Sequence, residues 1–519
     1  MLNQPTELQV AVCLQIQIFR KTMKFNCIVL FVVLAAAAVA EQAYPARLCV
    51  SHKPIRPLSR TALPGFSTAF SQNGLDYFRG VGLQLLSEKL NHLKVPDITG
   101  VAKVWPAKFN YNVSSIHLED VDLSSSTIEI VPGVGLSITV TKGSTKGDFN
   151  WHWQQQGIIH PHGTGTANLT VALSANMKFT FAAVNDHLQL DAVDPTVTID
   201  TLQVHVNSKN SWFYNFLIEV LTPVLKNNIA NQLNKAIQTT IESKLNELLL
   251  SVPIRQTIRS PLIFDIGLLR DPQFSADSFR LYESGESYDS SNVTECPDQV
   301  CVQRVLPDTT TQRMAQVYVS DYVANSMGYA AYLSGMIAAQ VTPDMVPSTS
   351  PFKLDTGSLK AVLPPLYEKY PNSPVILNIS ASRPPAVTFN STGVTVTVFL
   401  KIDFYVETSS GRVYALSVQG DISGPATVLT NNSIVYPKLG KFLPQDWVVL
   451  ESSMGDINIA KLTGAIKFIV SYAVNTLNIK YASGVSLPTV DGLEFVNPTL
   501  NLSEGFLSLE VDFVFHPSS

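Results

Sequence analysis

The sequence predicts an α+β fold in which two similar halves each wrap antiparallel strands around helices. Three patterns carry that expectation. Two segments of the first half repeat apolar residues every three or four positions, as amphipathic helices do. The residues between them alternate apolar with polar or are β-branched, the mark of strands. The order helix, strands, long helix, strands then recurs in the second half, without evident sequence identity. At 519 residues the chain exceeds what one hydrophobic core holds, so two domains are expected.

The elements follow in chain order. MKFNCIVLFVVLAAAAVAEQ, beginning at Met23, has Lys24 as a positive flank, an apolar stretch from Cys27 to Ala38, and Ala38-Val39-Ala40 as a small-residue cleavage site. It reads as a signal peptide, so residues 1–40 are expected to be removed and the protein secreted. The first helix is expected over 71–94, with Leu75, Phe78, Gly82, Leu85, Leu86, Leu90 and Leu93 on one stripe. A strand meander follows, rich in Gly, Asn and Asp turns. A long helix is then expected from about Ser211 to Leu250, with Pro223 inside it. The polar stretch 285–312 reads as a linker between domains at 41–284 and 313–519. The second half repeats the order, with a helix near 320–340, strands from 375 to 451, a helix near 457–481 and closing strands.

Charge and cysteine usage exclude several classes. Residues 41–284 carry 20 basic and 20 acidic side chains, and residues 285–519 carry 13 and 20. Such a balance offers no basic footprint for nucleic acid. Only Cys49, Cys296 and Cys301 lie beyond residue 40. Cys296 and Cys301, in CPDQVC, are expected to close a local disulfide, leaving Cys49 free or paired elsewhere; a zinc site would need further ligands. Seven N-x-S/T sequons, at Asn112, Asn168, Asn292, Asn378, Asn390, Asn431 and Asn501, suit a secreted glycoprotein.

No G-x-S-x-G, H-E-x-x-H, P-loop or G-x-G-x-x-G occurs, so no enzyme and no cofactor is expected. The uncharged stretch FNWHWQQQGIIHPHG (149–163) holds His152, His160 and His162. With no acidic or Cys ligand beside them, they read as solvated rather than metal-binding. A meander around an apolar helix either packs solid or leaves a groove. Each acyl methylene entering such a groove gains about 0.8 kcal/mol, yet periodicity by itself favours the solid core.

Specific residues shift that balance. PGFSTAFSQNGLDYFRGVGLQLLSEKLNHLKVPDITG (64–100), IEIVPGVGLSITV (128–140), VHVNSKNSWFYNFL (204–217) and KLNELLLSVP (244–253) resemble the family of bactericidal/permeability-increasing, lipopolysaccharide-binding and lipid transfer proteins. VYVSDYVANSMGYAAYLSG (317–335), VTPDMVP (341–347), ISASRPPAVTFNSTGVTV (379–396) and VNPTLNLSEGFLSLEVDFVF (496–515) extend the resemblance over nearly all of the chain beyond residue 40. It implies an elongated boomerang, each domain a curved antiparallel sheet around a long helix, joined by a central sheet. It also implies two apolar pockets for phospholipid tails. The residues it suggests are Leu75, Phe78, Gly82, Phe213, Phe216, Leu217, Val220 and Val224 in the first domain. In the second they are Tyr322, Met327, Tyr329, Tyr332, Met336, Phe468, Tyr472 and Val474.

Two departures from the family stand out. Vertebrate relatives join a strand of the first domain to its long helix by a disulfide; here Asn234 stands in the helix position and 192–204 holds no Cys. The tip that is dense in Lys and Arg in the bactericidal member is here 149–163, nearly without charge, with Lys142 and Lys146 nearby. Trp151 and Trp153, at i and i+2, are expected to face one way, as membrane anchors beside His152, His160 and His162. The function so implied is a secreted protein that binds phospholipid or another acyl lipid and touches a membrane or lipid particle. The alternative is an innate-immunity protein binding lipopolysaccharide.

Overall fold

A computed structural model describes residues 62–91, 93–206, 211–239, 246–251, 254–309, 311–346, 353–431, 434–480, 482–486 and 493–515. The expected signal segment and Cys49 lie outside these residues. Strand β1 (Phe66–Ser71) runs into helix α1 (Gln72–Leu90), whose first turn is capped by the Ser71 hydroxyl accepting from the Gly74 N–H at 3.3 Å. The first meander comprises β2 (Lys94–Val95), β3 (Ile98–Val104), β4 (Ala107–Asp122), β5 (Ser126–Val131), β6 (Gly135–Gln155), β7 (His162–Val184) and β8 (His187–Val206). Its sheet order is β2-β4-β6-β7-β8, with β3 on β4 and β5 on β6. Along β7, Ala167, Leu169, Val171, Leu173, Ala175, Met177 and Phe179 are all buried. That strict period of two turns one face of the sheet inward. The β7–β8 turn is Asn185–Asp186 at φ 51° and 67°, the left-handed pair a two-residue hairpin requires.

Helix α2 (Ser211–Thr239) lies on β8 and buries Leu221, Leu225, Ile229 and Leu233 in the first core. The four stand four residues apart, on one face of the helix. A second helix, α3 (Asn246–Ser251), follows. Asn234 supplies the missing helix-to-strand tie: its Oδ1 accepts from the Val197 N–H of β8 at 2.8 Å. Asn246 does more, taking the Leu190 N–H at 2.9 Å and donating to the Leu190 carbonyl at 2.7 Å. Since β8 ends the sheet, both amides satisfy backbone groups on an edge that would otherwise invite a further strand.

Strands β9 (Arg255–Arg259), β10 (Leu262–Asp265), β11 (Gln273–Phe274), β12 (Ser278–Glu283), β13 (Glu286–Asp289) and β14 (Ala315–Ser320) come next. The 285–312 stretch is more than a connector. It holds β13, which pairs β10, and buries Tyr288, Leu306 and the Cys296–Cys301 disulfide, Cα atoms 5.8 Å apart. Arg280 donates to the Thr309 carbonyl at 2.6 Å, holding this stretch against the neighbouring sheet. The few apolar residues that pin it down are diluted by its polar composition, which is why it reads as a linker.

Helix α4 (Asp321–Leu333) is shorter than the expected 320–340. Gly335, at φ 68°, stops it: the Met336 N–H reaches the Ala331 carbonyl and the Gly335 N–H the Tyr332 carbonyl, each at 3.0 Å. Chain beyond it becomes β15 (Ala338–Val341) and, after the short helix α5 (Pro364–Lys369), β16 (Val375–Ala381), β17 (Ala386–Asn390), β18 (Gly393–Thr408), β19 (Gly411–Asn431), β20 (Ile434–Leu439) and β21 (Leu443–Ser452). Helix α6 (Ile459–Lys480) packs on β20 and β21 and is capped by Asn458, whose Oδ1 accepts from the Lys461 N–H at 3.1 Å. Strands β22 (Val485–Ser486), β23 (Leu493–Ser503) and β24 (Phe506–Phe515) close the chain. The second sheet has the order β15-β16-β18-β19-β20-β22, with β17 on β18 and β21 on β19.

The halves meet in a six-stranded sheet of order β11-β12-β1-β14-β24-β23. Three of its strands come from each half, and the seam is the antiparallel pair β1–β14, from Phe66 opposite Val319 to Phe70 opposite Ala315. Glu283 lies on this sheet directly across from Phe66. The Thr68 hydroxyl donates to its Oε1 at 2.9 Å, while Oε2 is buried without a partner. Burial pushes this carboxyl up to about 7, against the pull of Thr68 and Arg280.

Candidate functional site

The second domain encloses a cavity of about 340 Å³. Strand β18 supplies one wall, turning Val396, Val398, Leu400, Ile402 and Phe404 inward at alternate positions. Helix α6 supplies another, with Leu462, Ala465, Ile466, Ile469, Val470, Ala473 and Leu477 at three- and four-residue spacing. Phe442 and Trp447 form the floor because Gly424 and Gly420 face them; a Cβ at either glycine would collide with the ring. The Trp447 indole N–H donates to the Asp421 carbonyl at 3.1 Å, so its polar atom is engaged away from the cavity. Beside the cavity Asn478 pairs both amide groups with Leu439, at 2.9 Å and 2.8 Å, fastening α6 to β20. The exposed lining residues Met345, Ile469 and Tyr472 mark the mouth. An interior this apolar admits a hydrocarbon chain and rejects any polar group lacking a partner.

Two of the eight second-domain residues suggested by the sequence, Tyr472 and Val474, line this cavity. Phe468 lies in α6, its side chain outside the described residues. The α4 candidates go elsewhere. Tyr322 and Met327 are buried in the core and Tyr329 packs on it. Tyr332 and Met336 pack on a small separate cluster with Leu262, Ala330 and Ile337. The reason is that α4 is buried on nearly every face, between β10, β13, β14 and β17, so its side chains meet those strands and not the second-domain cavity. Missed were the β18 residues and Phe442 and Trp447. The sequence marks 375–451 only as strands, and a strand pattern cannot tell a filled interior from an open one.

In the first domain Leu75 is buried and Val224 packs against the same core, while Val220 is half-buried. Gly82, Phe213, Phe216 and Leu217 lie in α1 and α2, with side-chain surroundings outside the described residues. Phe78, 37% exposed, meets Phe70 and Phe513 at ring distances of 6.2 Å and 5.3 Å, so it belongs to the junction with the central sheet.

The tryptophans of the tip point the opposite way from the expectation. Trp151 and Trp153 do share a face, but it is the inner one. Trp151 is 7% exposed, lies in the first core and donates its indole N–H to Thr166 at 3.2 Å. Trp153 sits edge-on to Phe109, with ring centroids 5.6 Å apart. Gly165 and Gly163 on the neighbouring strand leave the space for these rings. What projects instead is the turn itself: Ile158 and Ile159 are 102% and 78% exposed. Trp105, 94% exposed in the β3–β4 turn, stands at the same end, because Gln156 bonds to the Lys108 carbonyl at 2.7 Å and the Asn110 side chain at 2.6 Å. His152, His160 and His162 are exposed beside them. Lys146, farther down β6, pairs with Asp120 at 2.9 Å, whereas Lys103 and Lys108, opposite each other on the β3–β4 hairpin, stand exposed at the tip.

The sequons differ in access. Asn168, Asn292, Asn431 and Asn501 are exposed; Asn112, Asn378 and Asn390 are half-buried. The Asn112 Oδ1 is buried without a partner, and Asn378 accepts from Gln340 at 2.9 Å.

The comparisons with known proteins agree with this architecture. The family models for the N-terminal and C-terminal domains of the LBP / BPI / CETP family match residues 74–248 and 256–515. The bactericidal permeability-increasing protein of Sebastes schlegelii is 23% identical over 470 residues, covering 88% of this chain and 97% of the relative. Human lipopolysaccharide-binding protein is 24% identical over 469 residues, covering 87% and 94%. Human BPI fold-containing family C protein is 23% identical over 478 residues, covering 89% and 91%. A crystal structure of lipopolysaccharide binding protein superposes with a TM-score of 0.57 at 22% identity, covering 88% of this chain and all of that one.

Proposed function

Because the chain belongs to the LBP / BPI / CETP family, whose members bind or transfer lipid and are not enzymes, we propose that it is a secreted glycoprotein that holds phospholipid acyl chains away from water. Its two lipid-handling domains are residues 41–284 and 313–519. The observation that carries this reading is the apolar cavity between β18 and α6. A chain burying ten methylenes there gains on the order of 8 kcal/mol before ordering costs. Membrane contact falls to the first-domain tip, through Trp105, Ile158 and Ile159 rather than Trp151 and Trp153. A tryptophan and two isoleucines on adjoining turns suit the interfacial region of a bilayer.

Lipopolysaccharide binding is the second reading, favoured by the names of two relatives, bactericidal permeability-increasing protein and lipopolysaccharide-binding protein. The first domain speaks for phospholipid instead. Its charges balance overall, and the tip's exposed cations, Lys103 and Lys108, are two single lysines with no arginine fork beside them among the described residues. A multiply phosphorylated head group therefore finds less to grip than on a tip dense in Lys and Arg. The test is organic extraction of protein purified from a secreting host, mass spectrometry of the extract, and titration with lipopolysaccharide. Phospholipid in the extract with weak, salt-sensitive lipopolysaccharide binding is the expected outcome. An extract free of lipid, together with no binding of an apolar fluorescent probe, would overturn both readings.

A further inference from the structure

The same cavity carries a statement about its ligand's polar end, which rests on the reading above. Among the described residues that line it the only charged side chain is Lys353, and none is acidic. Lys353 is exposed, so it stands at the mouth with Met345 and Tyr472 and not in the interior. Two acidic residues near it in sequence, Asp344 and Asp355, do not line the cavity. Asp355 is engaged by Ser358, accepting from its N–H at 2.6 Å and its hydroxyl at 3.2 Å.

We infer that the second-domain cavity selects acyl lipids with an anionic polar end, a carboxylate or a phosphate, held at the mouth by Lys353. The interior enforces the orientation. A charged group drawn inside would lose its hydration with no compensating partner. The polar end therefore stays at the opening, where the one formal charge among the described lining residues is positive. At a water-exposed contact of about 4 Å two unit charges attract by about 1 kcal/mol, which is roughly a fivefold preference over a neutral head.

The experiment is displacement of a fluorescent acyl probe from the whole protein. The competitors are a long-chain fatty acid against the alcohol of equal length, and phosphatidic acid against diacylglycerol. Each anionic competitor is expected to act at about one-fifth of the concentration its neutral counterpart needs. The fatty-acid and phosphatidic-acid arms tell a carboxylate end from a phosphate end. In Lys353→Gln the difference should vanish while the neutral competitors keep their potency, and Lys353→Arg should restore it. Equal potency of charged and neutral competitors in the unmodified protein, or a preference that survives in Lys353→Gln, would overturn the inference and leave the lipid-binding reading intact. Failure of the probe and every competitor to bind would instead remove the lipid-binding reading itself.

Discussion

Glu283 offers a quantitative test of the junction between the halves. Its ordinary value lies near 4.5, and burial in the central sheet raises it to about 7. Between those two values the native state holds a proton that the unfolded chain has released. Stability is therefore full below about pH 4.5 and declines as the pH rises through about 7, where the carboxylate must ionise beside Phe66. A shift of that size is linked to about 3 kcal/mol at 1.36 kcal/mol per pH unit. Glu283→Gln keeps an acceptor for the Thr68 hydroxyl, keeps the shape, and cannot ionise. At pH 4 the variant and the parent should unfold at nearly the same urea concentration. At pH 8 the variant should be the more stable by about 2–3 kcal/mol. Comparing the difference at the two pH values cancels every other titrating group. A variant that is equally or less stable at pH 8, or whose advantage is the same at both, would refute the argument that the carboxyl is ionised at a penalty.

Other consequences can be checked more briefly. Asn234→Ala leaves the Val197 N–H on the sheet edge without its acceptor; a loss of about 1–3 kcal/mol in urea unfolding is expected, and Asn234→Asp should recover part of it. Changing Trp105, Ile158 and Ile159 together to Ser should lower affinity for zwitterionic liposomes at least a hundredfold, since each buried apolar side chain contributes roughly 1.5–3 kcal/mol; sedimentation with vesicles reads this. Trp151→Ser should instead lower stability by about 3 kcal/mol or more through the cavity it creates in the core, with membrane affinity of the folded fraction preserved. Ala473→Phe projects a ring into the second-domain cavity and should expel co-purifying lipid, read by mass spectrometry of the extract, while the thermal transition is retained.

Local chemistry accounts for much of what the sequence already disclosed. The alternation of the first meander, the three- and four-residue stripe of α1 and the Cys296–Cys301 loop depend on neighbours within a few residues. Such features are legible without a partner element. The family's ordered set of motifs likewise runs along the chain and needs no coordinates. The long-range decisions were of another kind. Trp151 and Trp153 were correctly read as sharing a face, but which face looks inward depends on Gly163 and Gly165 on the next strand. Asn234 looked like a lost disulfide position until β8 came alongside and used its amide. Tyr322 and Met327 looked like groove residues until β13 and β17 closed over the face of α4 that carries them.

The sequence alone thus determined the principal helices and strands, their order and the family, because helix and strand periodicity are local properties of the backbone. Tertiary structure alone decided where the interior stays empty. A cavity is a relation among β18, α6, Phe442 and Trp447, set by how closely separated elements approach and by glycines that let rings turn aside. No stretch of sequence contains that relation, and the same apolar pattern serves a packed wall and an open one equally well.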